Sequence, residues 1–233
     1  MRDAKGFTLV ELLIAVGVAM GLLVAVYMAV NSTQHHSTAI ERKVTAQQDL
    51  KPVLDIMAME IGMVSYNPTA ATNLWVNPTG SCLGTASNQI YRGIQEATAN
   101  SIVVEMDIGP GGDGDGMLGD SNEVIRYNYD TTNQYITRET NCGGGQPFLG
   151  DTAASGRPRT VRVINNTLGI PVFRYYNGTG TEIASTGLPA GIPNIRRIDI
   201  TLAVETEDVN ANTGQRISLT YSTSVIPRNH AIQ

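Results

Sequence analysis

Apolar residues run almost without interruption from Phe7 to Val30, and a single charged residue, Glu11, lies near the start of this run. A helix over these residues rises about 1.5 Å per residue and reaches about 36 Å, which is enough to cross a hydrocarbon core of about 30 Å. Arg2 and Lys5 precede the run, and basic residues of this kind hold a short leader on the cytoplasmic side. The pattern therefore predicts a membrane-spanning helix that carries one carboxylate.

Three simpler interpretations of this run fit its residues less well. A cleaved secretory signal needs small residues just before the cut, but a cut after Ala29 places Tyr27 there and a cut after Ala25 places Leu23 there. A plain membrane anchor does not explain Glu11, because a charge inside a bilayer costs about 2.5–3.5 kcal/mol at mid-depth. A core helix of a soluble domain is rarely apolar on all sides over such a length.

The region 31–66 continues with the pattern of an amphipathic helix. Apolar residues recur every three or four positions, and charged residues occupy the other faces. The apolar positions are Ile40, Val44, Leu50, Leu54, Met57, Ile61 and Val64, with Gln47 between them. We expect this face to pack on a sheet. Pro52 has no N–H for the carbonyl of Gln48, so it predicts a kink there, or alternatively a break into two helices.

The region 67–233 alternates short apolar segments with turns and is typical of a β-rich domain. Segments 67–89 and 143–158 are rich in turn residues and are predicted to be irregular. Strands are predicted at 101–107, 123–129, 134–139, 161–163, 172–176, 195–205 and 215–226. The second and third of these flank a turn at 130–133 and predict a hairpin. In the last two strands apolar residues alternate, so a one-residue shift would expose them and the pairing register is well defined.

Together these elements predict an α+β fold. A long N-terminal helix, membrane-spanning in its first half and amphipathic in its second, packs on an antiparallel β-sheet domain. The abundance of Gly, Asn, Thr and Ser, with aromatic residues at only 6%, is typical of an exported domain.

The charge balance argues against nucleic-acid binding. The chain has 16 Lys and Arg residues against 21 Asp and Glu residues, which gives a net charge of −5. A surface of this sign repels polyphosphates, and no basic run with interleaved aromatic residues is present in the sequence. We therefore expect no nucleic-acid partner.

Candidate catalytic residues are few. The only histidines are His35, His36 and His230, which lie just beyond the membrane run or in the C-terminal tail and which we expect to be solvated. Neither a nucleophile–histidine arrangement nor a HExxH metal motif is available in the body of the domain. Chemistry by a pair of carboxylates remains open, because the sequence does not show which Asp and Glu residues converge. We expect the chain not to be an enzyme.

Two cysteines, Cys82 and Cys142, lie in separate turn-rich segments. In an exported protein two such cysteines favour one disulfide over two free thiols. A disulfide that closes a loop of about 60 residues stabilises a fold by about 4 kcal/mol on the chain-entropy model. Two thiolates alone do not make a structural zinc site.

The stretch 107–123 invites a chemical interpretation. Residues 114–119 satisfy GxGxxG, but a dinucleotide fingerprint opens a helix, whereas the residues that follow alternate like a strand. A calcium loop fits better, because Ca²⁺ takes about six to eight oxygen ligands and closely spaced Asp residues with glycine turns can surround an ion. The candidate ligands are Asp107, Asp113, Asp115, Asp120 and Glu123. A solvated acidic turn is the competing interpretation, and an EF-hand alignment is imperfect because Gly111 takes its first position and Asn122 its twelfth.

The N-terminal residues resemble the signature of the type IV pilin and pseudopilin superfamily, over Lys5-Gly6-Phe7-Thr8-Leu9-Val10-Glu11-Leu12. The resemblance implies that a prepilin peptidase removes the leader 1–6 by cutting between Gly6 and Phe7. It also implies that the new Phe7 amine is N-methylated and that 7–30 becomes a filament-core helix. Cleavage places a cationic amine near Glu11, on the same or a neighbouring helix, so the buried carboxylate gains a partner. Glu11 is thus interpreted as a residue that sets the register of packed helices.

Later segments resemble PilW-type minor pilins and J-type pseudopilins of type II secretion, over 54–61, 195–202 and 224–229. The resemblance implies a minor pilin of a type IV pilus that primes assembly or lies at the filament tip. Its partners would be other major and minor pilins, through the N-terminal helix, and a prepilin peptidase. It would be a single-pass inner-membrane protein with a periplasmic domain, and then part of an extracellular or periplasmic filament.

Two alternatives to the minor pilin remain open. One is a minor pseudopilin of a type II secretion system, and the other is a membrane-anchored adhesin or binding module that does not polymerise. An acidic glycine-rich loop before a strand also appears in PilW-like proteins, so Ca²⁺ is the one cofactor that the resemblance favours.

Overall fold

The structure, a computed structural model, describes residues 6–76, 89–109, 111–112, 114–150, 159–184, 188, 190–210 and 213–231. Its longest element is α1, which spans Leu9–Gly62. The helix passes through Pro52 as a single element, so the alternative of two separate helices is wrong. The kink expected at Pro52 stays a prediction. The helix ends at Gly62 rather than at residue 66.

The two halves of α1 differ in burial. No residue from Leu9 to Val30 is buried, and no other helix in the described part of the chain is long and apolar enough to span a membrane. The second half packs one face on the β domain, through Ala46, Leu50, Val53, Leu54, Met57, Glu60 and Ile61. Burying a side chain as completely as Leu50 or Met57 stabilises a fold by about 1.5–3 kcal/mol.

Two residues of the predicted apolar face of α1 remain uncovered. Ile40 is 64% exposed and Val44 is 42% exposed, so the prediction that they pack on a sheet is wrong. Among the described residues, the hydrogen bond between α1 and the β domain that lies nearest the membrane joins Arg42 Nη1 to the carbonyl of Val209 at 2.5 Å. The β domain reaches α1 as far as Arg42, so Ile40 lies beyond it, whereas Val44 lies on a side of the helix that the described domain does not cover.

The first sheet has five antiparallel strands in sequential order. They are β1 (Ile94–Ala97), β2 (Ser101–Glu105), β3 (Val124–Asp130), β4 (Tyr135–Thr140) and β5 (Gln146–Leu149). The hairpin of β3 and β4 is confirmed, with the turn close to the predicted 130–133. The prediction of an irregular 143–158 is wrong for β5, which is too short and too interrupted by Pro147 to show an alternating pattern.

The second sheet is organised around one long strand. Its members are β6 (Val161–Val163), β7 (Phe173–Tyr176), β8 (Arg197–Thr206) and β9 (Ser218–Val225), and a short helix, α2 (Asn165–Leu168), follows β6. β9 pairs with one side of β8, while β6 and β7 share the other side at opposite ends. The predicted final strand pair is therefore confirmed.

The core lies between α1 and the two sheets. Alternate residues of β8 are fully buried in it, namely Ile198, Ile200, Leu202 and Val204. The sheets are joined directly, because the N–H groups of Val172 and Phe173 both donate to the carbonyl of Ala99, at 2.9 and 3.0 Å. The Tyr129 hydroxyl also donates to the carbonyl of Val163 at 2.8 Å. The predicted α+β class, a long helix on antiparallel sheets, is confirmed.

Candidate functional site

The N-terminal end of α1 is closed by a reciprocal set of hydrogen bonds. Thr8 has extended backbone angles, φ −81° and ψ 152°, and precedes the first helical residue. Its hydroxyl accepts from the Glu11 N–H at 3.3 Å, while the Glu11 carboxylate accepts from the Thr8 N–H and from the Thr8 hydroxyl, both at 2.9 Å. This is a capping box, which satisfies N–H groups that a helix start leaves without partners. It holds the Glu11 carboxylate at the very end of the helix.

The predicted cleavage site lies just outside this capped end. Phe7 is 91% exposed, and nothing lies within 4 Å of the place where a Cβ on Gly6 would stand. The Gly6–Phe7 bond is therefore open to an enzyme, and the amine that cleavage would expose lies next to the residue that holds Glu11. Cleavage and N-methylation stay predictions.

The apolar half of α1 presents a continuous uncovered surface. Large side chains such as Leu13, Leu22 and Leu23 are 64%, 64% and 69% exposed, and their spacing points them in different directions around the helix. Exposed apolar area of this extent marks a membrane or protein contact. This surface needs lipid or other helices to cover it.

Comparison with known families identifies the class of the protein. The first 27 residues match the model of the prokaryotic N-terminal methylation motif. This motif marks the chain as a prepilin of the type IV pilin-like or pseudopilin-like kind, which confirms the superfamily resemblance of the N-terminal residues. Comparisons with curated proteins and with solved structures found no match.

The motif and the uncovered helix also fit a membrane-anchored protein. Prepilins of this class are structural proteins, which is consistent with a non-enzymatic role. His35 and His36 both lie on α1, where His35 is half-buried and His36 is exposed. That the chain is not an enzyme stays a prediction.

His230 is buried, so the expectation that it is solvated is wrong. Its Nδ1 lies 2.9 Å from the carbonyl of Arg92 and 3.1 Å from the Ser65 hydroxyl, and its Nε2 lies 2.9 Å from the carbonyl of Ile192. Burial lowers the pKa of the His230 imidazole. The C-terminal turn that carries it is therefore part of the folded domain rather than a free tail.

The acidic stretch folds around the carboxylate of Asp107, which is fully buried. Its oxygens accept from the N–H groups of Asp115 at 2.9 Å and Gly116 at 3.0 Å. Gly114 has φ +68°, and a Cβ there would lie only 2.5 Å from Pro68 and 2.8 Å from Asp107 Oδ1. This glycine is thus required for the loop to pack on the segment that follows α1.

Glu123, also fully buried, closes the same loop from its other end. Its carboxylate accepts from four backbone N–H groups at 2.7–3.1 Å, those of Ile108, Gly109, Gly119 and Asp120. Withdrawal from water raises the pKa of Asp120, and the charges of Glu123, Asp115 and Asp107 raise it further. The structure therefore brings together the four predicted acidic residues that it describes.

Calcium binding by this loop stays a prediction. Asp113 lies outside the described residues, and the described ones contain no cluster of three or more His, Cys, Asp or Glu side chains in a metal-binding arrangement. The carboxylate oxygens of Asp107 and Glu123 mainly accept hydrogen bonds from backbone N–H groups, and these bonds fix the conformation of the loop.

The disulfide also stays a prediction. Cys142 lies in the turn that follows β4, where its φ is 55°, and no described cysteine is free. Cys82 lies outside the described residues.

An ion pair between α1 and the first sheet has no counterpart in the predicted sites. Glu60 accepts from Arg138 Nε at 3.1 Å and Nη2 at 2.6 Å, and it also accepts a short hydrogen bond from the Tyr127 hydroxyl. Burial raises the pKa of Tyr127, and the Glu60 charge raises it further. A signal was present in the sequence, because Glu60 stands on the apolar face between Met57 and Ile61.

Another buried carboxylate, Glu105, has no cation paired with it among the residues that the structure describes. It accepts from Gln95 Nε2 at 2.8 Å and from the Val76 N–H at 3.2 Å. Burial raises the pKa of Glu105 to about 8 against these two lowering hydrogen bonds. The carboxyl is therefore protonated at neutral pH, which avoids an unpaired charge in the core.

Proposed function

We propose that this chain is a minor pilin of a type IV pilus, a structural subunit that primes assembly or lies at the filament tip. The observation that carries the proposal is the geometry at the start of α1. The Glu11 carboxylate is held by Thr8 at the end that prepilin cleavage would expose, at the head of an uncovered apolar helix.

Cleavage after Gly6 would change the charge around this carboxylate. The new Phe7 amine is cationic and lies one residue from Thr8, which already orients Glu11. A buried carboxylate without a partner is costly, whereas a carboxylate paired with a cation is tolerated. The amine of the same chain or of a neighbouring helix would supply that cation, so a defined axial offset between helices is favoured.

The uncovered surface of α1 would provide the driving force for assembly. Lipid covers it in the membrane, and leaving the bilayer is favourable only when other helices replace the lipid. The partners would be major and minor pilins that carry a similar helix. A prepilin peptidase would act first, on a single-pass inner-membrane precursor whose β domain lies in the periplasm.

The experiment compares Glu11→Ala with Glu41→Ala, an exposed glutamate on the same helix. We expect Glu11→Ala to insert and to lose its leader normally, because neither step needs the carboxylate. Its recovery in sheared filaments should fall by about tenfold, while Glu41→Ala should resemble the wild type. Mass spectrometry of the mature N-terminus and quantitative blotting of filaments are the measurements. Wild-type recovery of Glu11→Ala in filaments contradicts the proposal.

A minor pseudopilin of type II secretion is the second candidate, because the methylation motif is common to pilin-like and pseudopilin-like prepilins. Deletion of the gene distinguishes the two: loss of secreted enzymes with normal pili favours the pseudopilin, and loss of pili favours the minor pilin. An intact leader on functional protein would favour a membrane-anchored adhesin that does not polymerise.

A further inference from the structure

β9 is an edge strand whose outer side has no partner among the described residues. It pairs with β8 over its whole length without a register shift, and just before it the Thr206 N–H donates to the carbonyl of Ile217 at 3.0 Å. Because backbone groups alternate in direction along a strand, this register turns the N–H and C=O groups of even-numbered residues away from β8. These residues are Ser218, Thr220, Ser222 and Ser224, all with exposed side chains.

The other strand edges in the described parts of the chain are protected. The pairings of β1 and β5 each contain a register shift, and β5 contains Pro147. β6 has three residues, and its Val163 N–H donates to the carbonyl of Gln134 at 2.9 Å. β7 is covered by Ile183, whose N–H donates to the carbonyl of Tyr175 at 2.8 Å. Natural sheets use bulges, prolines, charges and covers of this kind because an unpaired edge recruits another strand.

β9 has none of these protections. It has eight residues, SLTYSTSV, with no charge, no proline and no bulge. Serine and threonine hydroxyls line the solvent-exposed face of the strand, where Ser224 Oγ donates to Asp199 at 2.7 Å. The strand therefore presents a straight, neutral row of backbone donors and acceptors.

An uncovered apolar stripe of α1 lies on the same side of the helix as β9. Gln47 Nε2 donates to the Tyr221 hydroxyl at 2.8 Å, and Lys51 Nζ lies 5.9 Å from the centre of the Tyr221 ring. Ile40 and Val44 precede these two residues at helical spacing and so extend the same stripe toward the membrane. A strand added beside β9 would continue the sheet over this side of α1.

We propose that the β9 edge accepts an extended segment of a different chain, which pairs in antiparallel orientation with the even-numbered residues of β9. The segment would be about seven residues long, with apolar side chains at alternate positions facing α1 and hydroxyl side chains on the outer face. A carboxylate in the segment would suit Lys51. Ile40 and Val44, which the domain itself leaves exposed, would be covered by its apolar side chains.

A second copy of this chain fits the edge less well. β9 runs in the same direction as α1. Tyr221 contacts Gln47, and the later residue Val225 lies 3.7 Å from where a Cβ on Gly62 would stand. Two copies anchored in one membrane have parallel helices, so their β9 strands would meet in parallel, the less stable pairing. The remaining described edges of a second copy are protected. That the different chain is a neighbouring filament subunit rests on the proposed function.

The first test uses a synthetic seven-residue peptide of alternating Thr and Val as the probe. Amide hydrogen exchange is measured on the full-length chain in detergent micelles. We expect the peptide to slow exchange at Thr220 and Ser222 by about tenfold, and the same peptide N-methylated on alternate residues to have no effect. Absence of slowing, equal slowing by the methylated peptide, or slow exchange before any peptide is added overturns the proposal.

A matched pair of variants tests the backbone donor. Ser222→Pro removes an N–H that points away from β8, a position where an edge strand tolerates proline, and Ser222→Thr keeps it. We expect the peptide to protect Thr220 in Ser222→Thr and not in Ser222→Pro. Equal protection of Thr220 in both variants overturns the proposal. If Ser222→Pro does not fold, the methylated peptide still provides the decisive comparison.

Filament recovery separates this proposal from the proposed function. Reduced recovery of Ser222→Pro but not of Ser222→Thr supports pairing of β9 with a neighbouring subunit. If Ser222→Pro is recovered in filaments at the normal level while Glu11→Ala is still excluded from them, the filament role stands and the pairing of β9 with a neighbouring subunit is overturned. Peptide protection in a chain that never enters filaments supports the edge and overturns the filament role. A dimer of the purified chain that Ser222→Pro abolishes assigns the edge to a second copy and overturns the proposal.

Discussion

The buried carboxylates in the described part of this domain are stabilised in three different ways. Glu60 has the Arg138 guanidinium, Asp107 and Glu123 have backbone N–H groups, and Glu105 keeps its proton. The groups that surround each carboxylate decide how it is stabilised. A carboxylate that has neither a cation nor several hydrogen-bond donors beside it is too costly to bury in its charged form. Each carboxylate is therefore expected to respond differently to substitution of its partners.

Glu105 makes the fold less stable as the pH rises. Its folded-state pKa of about 8 lies above the unfolded value of 4.5, so its contribution is complete below pH 4.5 and is lost as the pH rises through the folded pKa. Between these limits the loss is about 1.4 kcal/mol per pH unit. Glu105→Gln, which mimics the protonated acid, should remove this slope, and urea unfolding of the full chain in micelles at pH 5 and pH 8 measures it. The same pH dependence in both proteins contradicts the assignment.

Loss of the Arg138 guanidinium should be strongly destabilising. Arg138→Met leaves Glu60 buried with the Tyr127 hydroxyl alone, and breaking a buried ion pair on one side costs about 3–5 kcal/mol. The control is Arg126→Met, whose pair with Glu139 is longer, at 3.5 Å, and which should cost less than about 1 kcal/mol. Thermal unfolding of the two variants tests the difference. Equal melting temperatures would mean that the Glu60 pair contributes no more than a surface pair.

At the level of elements, the acidic loop is a short segment whose shape comes from its own side chains. Asp107 at one end and Glu123 at the other accept hydrogen bonds from the N–H groups of the intervening turns. Gly114 allows the loop to approach Pro68 closely. β9 shows the opposite arrangement, a regular strand whose outer row of backbone groups has no partner in the described parts of the chain. One element satisfies its own polar groups, and the other would need the proposed partner to satisfy them.

Calcium binding by the acidic loop is testable by thermal unfolding with and without a chelator. If the loop binds Ca²⁺, EGTA should lower the melting temperature of the wild type by about 2–4 °C for each kcal/mol of binding free energy. Asp115→Ala, which removes an exposed predicted ligand, should lose this response, whereas Asp55→Ala on the exposed side of α1 should keep it. No chelator effect on the wild type, or an undiminished effect on Asp115→Ala, contradicts calcium binding.

At the level of the whole molecule, the regular spacing of apolar residues predicted the long helix and the long strands. The burial and partners of individual side chains depend on long-range contacts, which this spacing does not show. The apolar run and the three-to-four spacing define α1, and the alternation in β8 and β9 defines their pairing. Exposure of Ile40 and Val44 depends on where the β domain ends and on which side of α1 it covers, and helical periodicity encodes neither. The partners of Glu60 and His230 lie far away in the chain, so neither local spacing nor composition could identify them.

The Glu60 pair also determines how a filament subunit would respond to tension. In the proposed filament a pull along the axis would enter each subunit through α1. Glu60 lies close to the end of that helix farthest from the membrane, where Arg138 joins it to β4. Two N–H···O contacts hold this end of α1 to the sheet, and both must break before the two separate here. The distal end of the helix would thus stay attached to the first sheet while the load passes along it.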